Sequence, residues 1–283
     1  MTVATMIPAL WAASLLTNLN DLHVFKNGFN RDYEGELKGM GSSVKINSIG
    51  RVTISTYTAN ADLSAPETLT FADQWLLIDQ GKTFHFYVDD LDARQAKGDL
   101  MSPAMTEAAW GLADTCDSFL ATTLDNAILS ANTLPAATVG TGAGEANAYD
   151  VVVRANVLLD DNNVPQSGRW GFVPNWFGGM LKRDPRFSSF GTPGNVQQAK
   201  RGEPIGEVDG TTIYKTNNLP LSGSDAKLVF GYKGAATFAE QINKTEAYSP
   251  ERRFGDAVKG LHVYGAKVTR PYALVRLIAT QGT

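Results

Sequence analysis

The amino-acid sequence predicts an α+β fold in which extended strands and one long helix are followed by a second lobe of mixed elements. Three observations predict it. Apolar residues alternate within residues 30–70, one apolar face continues along residues 103–130, and short helices and glycine-punctuated strands follow one another after residue 147. A chain of 283 residues can bury a sizeable core in one large domain or two modest ones.

A short N-terminal helix is predicted over residues 7–22. Trp11, Leu15 and Leu19 recur at helical spacing, and Pro8 suits the first turn of a helix. A helix of this length at the end of a chain cannot build a core. We therefore interpret it as an arm that docks on another surface.

Residues 30–70 are predicted to form an extended β-hairpin. The alternating apolar positions on the two sides of Gly50 are Val44, Ile46, Ile49, Val52, Ile54 and Tyr57. Few large apolar side chains line this segment, and an isolated two-stranded hairpin is marginally stable at best in water. The hairpin is therefore expected to lie against another surface.

Two further strands are predicted between Trp75 and Val88, separated by a turn at Gln80-Gly81. The acidic run that follows, starting at Asp89, is predicted to begin a short helix. Carboxylates at this position are favourable because they lie at the positive end of the helix dipole.

The longest predicted element is a helix over about residues 103–130. Ser102 is a favourable capping residue, and Pro103 suits the first helical position. The apolar face of this helix is formed by Ala108, Leu112, Cys116, Phe119, Leu120, Leu124 and Ile128. At ~1.5 Å per residue the helix would be on the order of 40 Å long.

Residues 132–147 are rich in threonine, alanine and glycine, and we interpret them as the boundary between two lobes. The elements predicted beyond this boundary are helices at 149–159 and 176–181 and strands at 169–173, 205–208, 211–214, 228–231, 260–268 and 272–279. Helices and strands mixed in this way complete the α+β prediction.

Composition argues against several classes of function. The formal net charge is −4 and no run of lysines or arginines occurs, which argues against tight binding of nucleic-acid phosphates. The single cysteine, Cys116, excludes an internal disulfide and a cysteine-based zinc site. Its acidic neighbours Asp114 and Asp117 are expected to raise its pKa, so a reactive thiol is not expected. No apolar run is long enough to span a bilayer.

The motifs that suggest catalysis have simpler structural explanations. Asp89-Asp90 resembles the paired aspartates of polymerases, but we interpret it as the end of a strand and the start of a helix. The glycine-rich residues 140–144 follow no apolar strand, so they are interpreted as a mobile connector and not a dinucleotide site. The three histidines are far apart in the sequence and are expected to be isolated structural residues: His23, His85 and His262. No catalytic, cofactor-binding or metal site is predicted.

Several segments, taken in order along the chain, carry a resemblance to a known family. They are residues 8–19, Asn30-Arg31-Asp32-Tyr33-Glu34-Gly35-Glu36 with Gly39-Met40-Gly41, residues 84–92, Trp170-Gly171-Phe172-Val173-Pro174-Asn175, and residues 181–187, 238–242 and 260–268. Together they resemble the major capsid proteins of tailed bacteriophages, whose Johnson fold is shared with encapsulin nanocompartments. The segments span nearly the whole chain, and their order makes the resemblance specific.

The resemblance implies a division of the chain into an arm, an extended loop and two domains. The parts would be an N-terminal arm at 1–33, an extended loop (E-loop) at 34–70, a peripheral domain at 71–135 and 236–268 with a spine helix at about 103–130, and an axial domain at 140–235 and 269–283. In this family the E-loop lies over the neighbouring subunit, which would provide the surface that the hairpin needs.

The function that the resemblance implies is structural. Hexamers and pentamers of the chain would close an icosahedral shell around the genome of a tailed phage, with no enzymatic activity and no cofactor. Because the arm begins at Met1, assembly would use a separate scaffolding protein or none, and portal and decoration proteins are further candidate partners. The enclosed DNA would be contacted only weakly, and no membrane is implied. The chain would be made in the bacterial host cytoplasm and act in the virion.

Charged residues in two segments are the candidate intersubunit contacts. They are Glu36, Lys38, Arg51, Glu251, Arg252 and Arg253. Some members of the family join their subunits by lysine–asparagine crosslinks, and Lys38 and Lys45 lie in the corresponding region. No matching asparagine acceptor and glutamate are found, so no crosslink is predicted.

Two other functions are open from the sequence alone. An encapsulin-like compartment would share the fold, and specific enzyme cargo in purified particles would favour it. A soluble hydrolase is the alternative from a different class, with a site assembled from His85, Asp89 and a distant nucleophile. Turnover that is lost on changing His85, in a discrete monomer or dimer, would support the hydrolase.

Overall fold

The computed structural model describes residues 23–33, 41–49, 54, 56, 71–89, 101–190, 204–250 and 255–282. Its α-helices are α1 Met101–Ala127, α2 Ala148–Asp161, α3 Asn175–Arg183 and α4 Pro185–Phe190. Short 3-10 turns occur at Phe25–Gly28, Ser130–Asn132, Lys233–Ala235 and Pro271–Ala273. The strands are β1 Ser43–Ile49, β2 Phe71–Leu77, β3 Gln80–Asp89, β4 Thr133–Val139, β5 Arg169–Val173, β6 Pro204–Val208, β7 Thr211–Lys215, β8 Leu221–Ser222, β9 Asp225–Tyr232, β10 Ala236–Tyr248, β11 Gly255–Val268 and β12 Leu274–Gln281.

The strands of the described residues form three sheets. β1 and β2 pair antiparallel with each other, and we call this pair the hairpin stem. β10, β11 and β3, in this order, form an antiparallel sheet that we call the long sheet. The other strands form a mixed sheet, the large sheet, in the order β4-β12-β9-β5-β7-β6, with β8 paired to β9.

The long helix predicted at about residues 103–130 is confirmed as α1, Met101–Ala127. It ends three residues earlier than predicted, shortly before the chain tightens into a 3-10 turn. The first half of α1 packs on the long sheet, where Met105 contacts Val258. Its second half enters the main core through residues such as Leu120. The helix therefore connects the long sheet to the large sheet.

The helices and strands predicted in the second half of the chain are confirmed to within five residues at each end. β5 occupies the predicted residues 169–173 and is buried along its whole length. Such burial is expected because β5 lies inside the large sheet, between β9 and β7. Phe172 of β5 and Phe230 of β9 are fully buried in the main core.

The loose boundary predicted at residues 132–147 is wrong as a description of local structure. Thr133–Val139 is strand β4, which pairs in parallel with β12 at the edge of the large sheet. Val139 is fully buried, and its carbonyl oxygen accepts a hydrogen bond of 2.8 Å from the backbone N–H of Gly282. Small residues that suggest a linker by composition are thus held by backbone pairing to a distant strand, which composition does not reveal.

The two strands predicted within residues 75–88 belong to two different sheets. The chain leaves β2 after Leu77 and enters β3 at Gln80, so the turn comes just before the predicted Gln-Gly pair. β2 pairs with β1, whereas β3 pairs with β11. Asp89 is the last residue of β3, and the helix predicted to follow it lies outside the described residues, as does the helix predicted over residues 7–22.

The hairpin predicted within residues 30–70 closes on a later strand than expected. β1 pairs with β2 from Ser43 opposite Leu77 to Ile49 opposite Phe71. The return strand predicted at residues 52–57 lies outside the described residues, except for positions 54 and 56, which are in no strand. The return strand of the stem therefore extends beyond residue 70.

The hairpin stem rests on the long sheet. Its inward side chains pack with residues of β10 and β11 in one apolar cluster: Val44, Ile46, Leu76, Ile78, Ala239 and Val263. The supporting surface for the stem is thus part of the same chain. Alternation along β1 and β2 leaves the other face of the stem directed away from the long sheet.

Gly265 of β11 lies where the stem approaches the long sheet most closely. A Cβ atom there would collide with the backbone carbonyl oxygen of Leu77 and lie 3.0 Å from Ile78. Because backbone cannot move aside as a flexible side chain can, we expect Gly265→Ala to lower the free energy of unfolding by about 1–3 kcal/mol. Chemical denaturation measures this difference.

Gly111 of α1 is the matched control for this prediction, since a Cβ there would meet no atom within 4 Å. Gly111→Ala is expected to raise the free energy of unfolding by about 0.5–1 kcal/mol, because glycine is unfavourable inside a helix. Equal, small effects of the two alanines would contradict the close packing of the stem on Gly265.

Candidate functional site

The hairpin stem directs one set of side chains away from the long sheet. We call this set the outer stem face: Ser43, Lys45, Trp75 and Leu77. Trp75 is 50% exposed and Leu77 is 57% exposed. Exposed aromatic and apolar side chains that lie together are typical of surfaces that bind another protein.

Hydrogen bonds at the base of the stem fix its orientation. Gly41 donates its backbone N–H to the carbonyl oxygen of Ile78 (2.9 Å), and Ile78 donates to the carbonyl oxygen of Ser42 (3.1 Å). The side chain of Gln74 donates to the carbonyl oxygen of Thr269 (3.3 Å), just beyond β11. The outer stem face is therefore presented in a defined direction relative to the long sheet.

A second structural feature is the point where the N-terminal residues join the fold. Residues 23–30, which we call the anchor segment, contact α1, β5 and β10. Phe25 is fully buried, and its ring centroid lies 4.3 Å from that of Phe172. Asn30 donates its backbone N–H to the carbonyl oxygen of Ala236 (2.8 Å) and accepts from the N–H of Phe238 (2.9 Å).

A group of charged and polar side chains, all largely buried except Arg31, connects the anchor segment to α1, β10 and β11. We call it the Glu240 cluster: His23, Lys26, Arg31, Asp117, Glu240 and His262. Lys26 Nζ lies 2.8 Å from Glu240 Oε1, and Arg31 lies 3.3 Å from the same oxygen. The Nε2 atoms of His23 and His262 lie 3.5 Å and 3.2 Å from Glu240 Oε2.

Asp117 of α1 completes the cluster on the side of the helix. His23 Nδ1 lies 3.0 Å from Asp117 Oδ1. The backbone N–H of Val24 donates to Asp117 Oδ2, also at 3.0 Å. One imidazole thus lies between carboxylates of two different elements, α1 and β10.

Burial and charge act in opposite directions on the groups of this cluster. Burial alone would lower the pKa of His23, but its contacts with Asp117 and Glu240 and the charges of these carboxylates raise that pKa above its ordinary value. Burial alone would raise the pKa of Glu240, but contacts with His23 and His262 and the charge of Lys26 hold it well below its ordinary value. The paired, ionised state is therefore the favoured one.

Acidic residues of α1 also bind the helix to the large sheet. The buried carboxylate of Asp125 lies 2.6 Å from Lys227 Nζ of β9 and 2.8 Å from a guanidinium nitrogen of Arg276 on β12. Asp114 accepts a hydrogen bond of 3.0 Å from the side-chain amide of Asn218. These contacts fix the angle at which the long helix meets the large sheet.

The comparisons with known proteins agree with this architecture. A family model described as "Phage capsid protein" matches residues 74–277 of the chain. The chain belongs to this phage capsid family. The match confirms the resemblance predicted from the sequence and indicates a structural role for this capsid protein.

Solved structures confirm the fold class. A structure from Mycobacterium phage Che8 is 29% identical to the capsid protein, covers 90% of each chain and has a TM-score of 0.66. The capsid structure of cyanophage P-SCSP1u is 17% identical, covers 92% of this chain and 89% of that chain, and has a TM-score of 0.69. The holo-SrpI encapsulin complex of Synechococcus elongatus PCC 7942 is 10% identical, covers 87% and 86%, and has a TM-score of 0.55. The comparison with curated proteins finds no match.

The six charged residues predicted as intersubunit contacts of the capsid protein all lie outside the described residues: Glu36, Lys38, Arg51, Glu251, Arg252 and Arg253. Their role stays a prediction. Sequence reasoning did not single out the outer stem face. The signal for it was Trp75 and Leu77 at alternate positions of a strand whose intervening residue, Leu76, is apolar as well.

The prediction that the histidines are isolated is wrong for two of the three. His23 and His262 both contact Glu240. His85 lies elsewhere on the long sheet, where its Nε2 is 2.8 Å from the hydroxyl oxygen of Tyr248 and the two rings stack. The signal that could have located the cluster is Glu240 itself, since alternation along β10 places it on the same face as the buried Phe238.

The expected inertness of Cys116 is consistent with its surroundings. It is buried, and burial, reinforced by the charges of Glu240 and Asp117, holds the pKa of its thiol well above the ordinary value. Burial is the larger cause, whereas the sequence suggested only acidic neighbours.

The geometry around His85 offers little support for a hydrolase. A cavity of about 410 Å³ adjoins it, lined by Thr83, Phe84, His85, Glu246, Lys259, Gly260 and Leu261. His85 and Asp89 are four residues apart on β3, so their Cα atoms lie roughly 13 Å from each other, whereas catalytic acid–base partners need heavy atoms about 3 Å apart.

Within the described part of the chain, no three His, Cys, Asp or Glu residues are arranged to hold a metal ion. No helix in that part has an apolar stretch long enough to cross a membrane.

Proposed function

We propose that this chain is the major capsid protein of a tailed bacteriophage and that it assembles as hexamers and pentamers into an icosahedral shell around the phage genome. The observation that carries this proposal is the family match over residues 74–277, which includes the long helix and most of both larger sheets. The role is structural, and no catalytic chemistry is assigned to the chain.

The chain is proposed to divide as the family does. The parts are an arm at 1–33, an E-loop at 34–70 that continues into the hairpin stem, a peripheral domain at 71–135 and 236–268, and an axial domain at 140–235 and 269–283. The stem supports this division, because β1 and β2 form a separate two-stranded pair whose outer face carries exposed apolar side chains.

Contacts between subunits are proposed at the outer stem face and at the charged segments 36–51 and 251–253. Arms and strand edges that reach a neighbouring copy give lateral contacts without a single large apolar patch. Identical contacts repeated by symmetry are the commonest way to close an assembly of one chain.

The mildly acidic charge of the chain supports only weak contact with the enclosed DNA. A formal net charge of −4 offers few cations to neutralise phosphates, so the shell would confine the genome without binding it tightly. Scaffolding, portal and decoration proteins remain candidate partners. The chain is proposed to be synthesised in the bacterial cytoplasm and to act in the shell of the virion.

Particle size tests the proposal directly. Electron microscopy and light scattering of the purified chain, alone or co-expressed with neighbouring phage genes, are expected to give closed shells of megadalton mass. A discrete monomer or dimer under all these conditions would contradict the proposal.

Deletion of residues 39–65 tests the role of the E-loop. This deletion is expected to leave soluble capsomers or aggregates and to abolish closed shells, because it removes β1 together with most of the proposed E-loop. Electron microscopy of the purified deletion variant provides the measurement. Intact shells of ordinary size from this variant would contradict an assembly role for the hairpin.

An encapsulin-like compartment is the second candidate, and the likeness to the SrpI encapsulin favours it at the level of the fold. Nuclease-treated particles distinguish the two functions by their contents. Protected genome-length DNA inside the particles would support the phage capsid. Particles that contain one specific enzyme and no DNA would support the compartment.

A further inference from the structure

The Glu240 cluster combines features that a purely structural ion pair does not need. Two imidazoles contact one carboxylate oxygen, Glu240 Oε2, at 3.5 Å and 3.2 Å. The first of them, His23, also contacts a second carboxylate, that of Asp117. His23 belongs to the anchor segment, so the cluster ties this segment to α1 through Asp117 and to β10 through Glu240.

Protonation of His23 determines whether these contacts attract or repel. The imidazolium carries an N–H on each ring nitrogen, so Nδ1 donates to Asp117, while the charged ring makes an ionic contact of 3.5 Å through Nε2 with Glu240 that is not a hydrogen bond. The neutral ring carries one N–H only. If Nδ1 keeps it, the lone pair of Nε2 faces the ionised oxygen of Glu240, and one attractive contact becomes repulsive.

The remaining charges of the cluster do not compensate for this loss. The titratable and charged groups in or beside it are Lys26 of the anchor segment, Arg31 just after it, Cys116 and Asp117 of α1, Glu240 of β10, and His262 and Tyr264 of β11. Lys26 and Arg31 both contact Oε1 of Glu240, on the other side of that carboxylate from His23. Loss of the His23 charge therefore weakens chiefly the links to Asp117 and to Oε2 of Glu240.

We infer that the Glu240 cluster is a proton-dependent clamp that holds the N-terminal end of the anchor segment to α1 and β10 while His23 is protonated and releases it when His23 loses its proton. The release is local. Phe25 stays buried against Phe172, and the Asn30 backbone stays paired with β10, because neither contact depends on charge. What changes is the attachment of His23 and Val24 to α1 and β10.

The sign of the pH dependence follows from the direction of the pKa shift. The pKa of His23 is raised in the folded chain. The stability that protonated His23 gives to the clamp is therefore complete below its ordinary pKa of about 6.5 and is lost as pH rises through the raised value. The pKa of Glu240 is lowered, so its contribution persists until strongly acidic pH. The clamp is therefore closed in mildly acidic solution and opens as pH rises through the raised pKa of His23.

Hydrogen–deuterium exchange of the full chain between pH 5.5 and 9 tests the clamp. After correction for the intrinsic pH dependence of exchange, protection of the Val24 amide, which donates to Asp117, should fall by about tenfold for each unit by which the folded pKa exceeds the unfolded one. The Phe238 amide, which donates to Asn30, is the internal control and should keep its protection. Protection of Val24 that does not change with pH would overturn the inference.

Two variants test whether His23 causes the fall in Val24 protection with rising pH, which we call the step. His23→Gln keeps a hydrogen-bond donor without a titratable group and should abolish the step, whereas His85→Gln, which removes the exposed histidine stacked on Tyr248, should retain it. A step that survives in His23→Gln would overturn the assignment. If His23→Gln does not fold, exchange of the imidazole Cε1 hydrogen in the unmodified chain gives a titration midpoint for each histidine. A His23 midpoint at or below about 6.5, the ordinary value for a histidine, would overturn the clamp.

The clamp does not rest on the proposed function. A step in Val24 protection without any particles would leave the clamp standing and count against the capsid. Particles without a step would count against the clamp only.

Discussion

We expect Glu240→Gln to lower the free energy of unfolding by on the order of 3–5 kcal/mol, because it removes the anion from a buried cluster that contains several cations. Glutamine has nearly the same shape, so the effect reports charge and not volume. Lys26, whose side chain is only 7% exposed, would be left with an amide oxygen in place of its carboxylate partner. Urea denaturation at pH 7 measures the difference.

The effect of Glu240→Gln should also depend on pH in a definite direction. Because the pKa of Glu240 is held well below its ordinary value, its stabilising charge is present at neutral pH and is lost only as pH falls through that lowered value. The difference in stability between the two proteins should therefore shrink in strong acid. A difference that grows as pH falls would contradict the proposed charge pairing.

Glu246→Gln is the matched control, since Glu246 is on the same strand and pairs with Lys259 at 2.9 Å. These two side chains are 35% and 53% exposed, so solvent screens their attraction, and such pairs contribute about 0–1 kcal/mol. Similar losses from the two substitutions would mean that the Glu240 cluster is no more important than a surface ion pair.

Local pattern was sufficient to predict most elements of this fold. The apolar face of α1 and the buried run of β5 repeat at short sequence spacing, and both elements were located to within a few residues. Composition did not predict strand β4, because its residues are small and its pairing partner, β12, lies more than a hundred residues later in the chain. Edge strands of this kind are defined by their neighbour and not by their own residues.

The Glu240 cluster could not be predicted for a related reason. His23 and Glu240 are more than two hundred residues apart, and only the pairing of β10 with β11 and the crossing of the anchor segment bring them together. The family resemblance supplied the order of the parts but no register between them. Register decides which charged side chains share a buried face, so it decides the chemistry of the cluster.

The double substitution Trp75→Thr and Leu77→Thr is expected to abolish closed shells while leaving the subunit folded. Both side chains point away from the long sheet and are about half exposed, so the fold loses little when they are shortened, and threonine suits a strand. If the outer stem face packs on a neighbouring subunit, the free energy of association at each such contact would weaken by about 1–2 kcal/mol or more, as is common when an aromatic side chain is removed from an interface. Because a symmetric shell repeats the contact at every subunit, this modest loss would multiply over the whole assembly. Circular dichroism checks the fold, and sedimentation with electron microscopy counts the particles.

Leu221→Thr separates this effect from a general loss of apolar surface. Leu221 of β8 is 63% exposed, more than either residue of the outer stem face, but it lies on the large sheet. Shells should persist in this variant at close to the ordinary yield. Loss of shells in Leu221→Thr alone would place the main contact on the large sheet. Normal shells from the Trp75 and Leu77 double variant would mean that the outer stem face does not contact a neighbouring subunit.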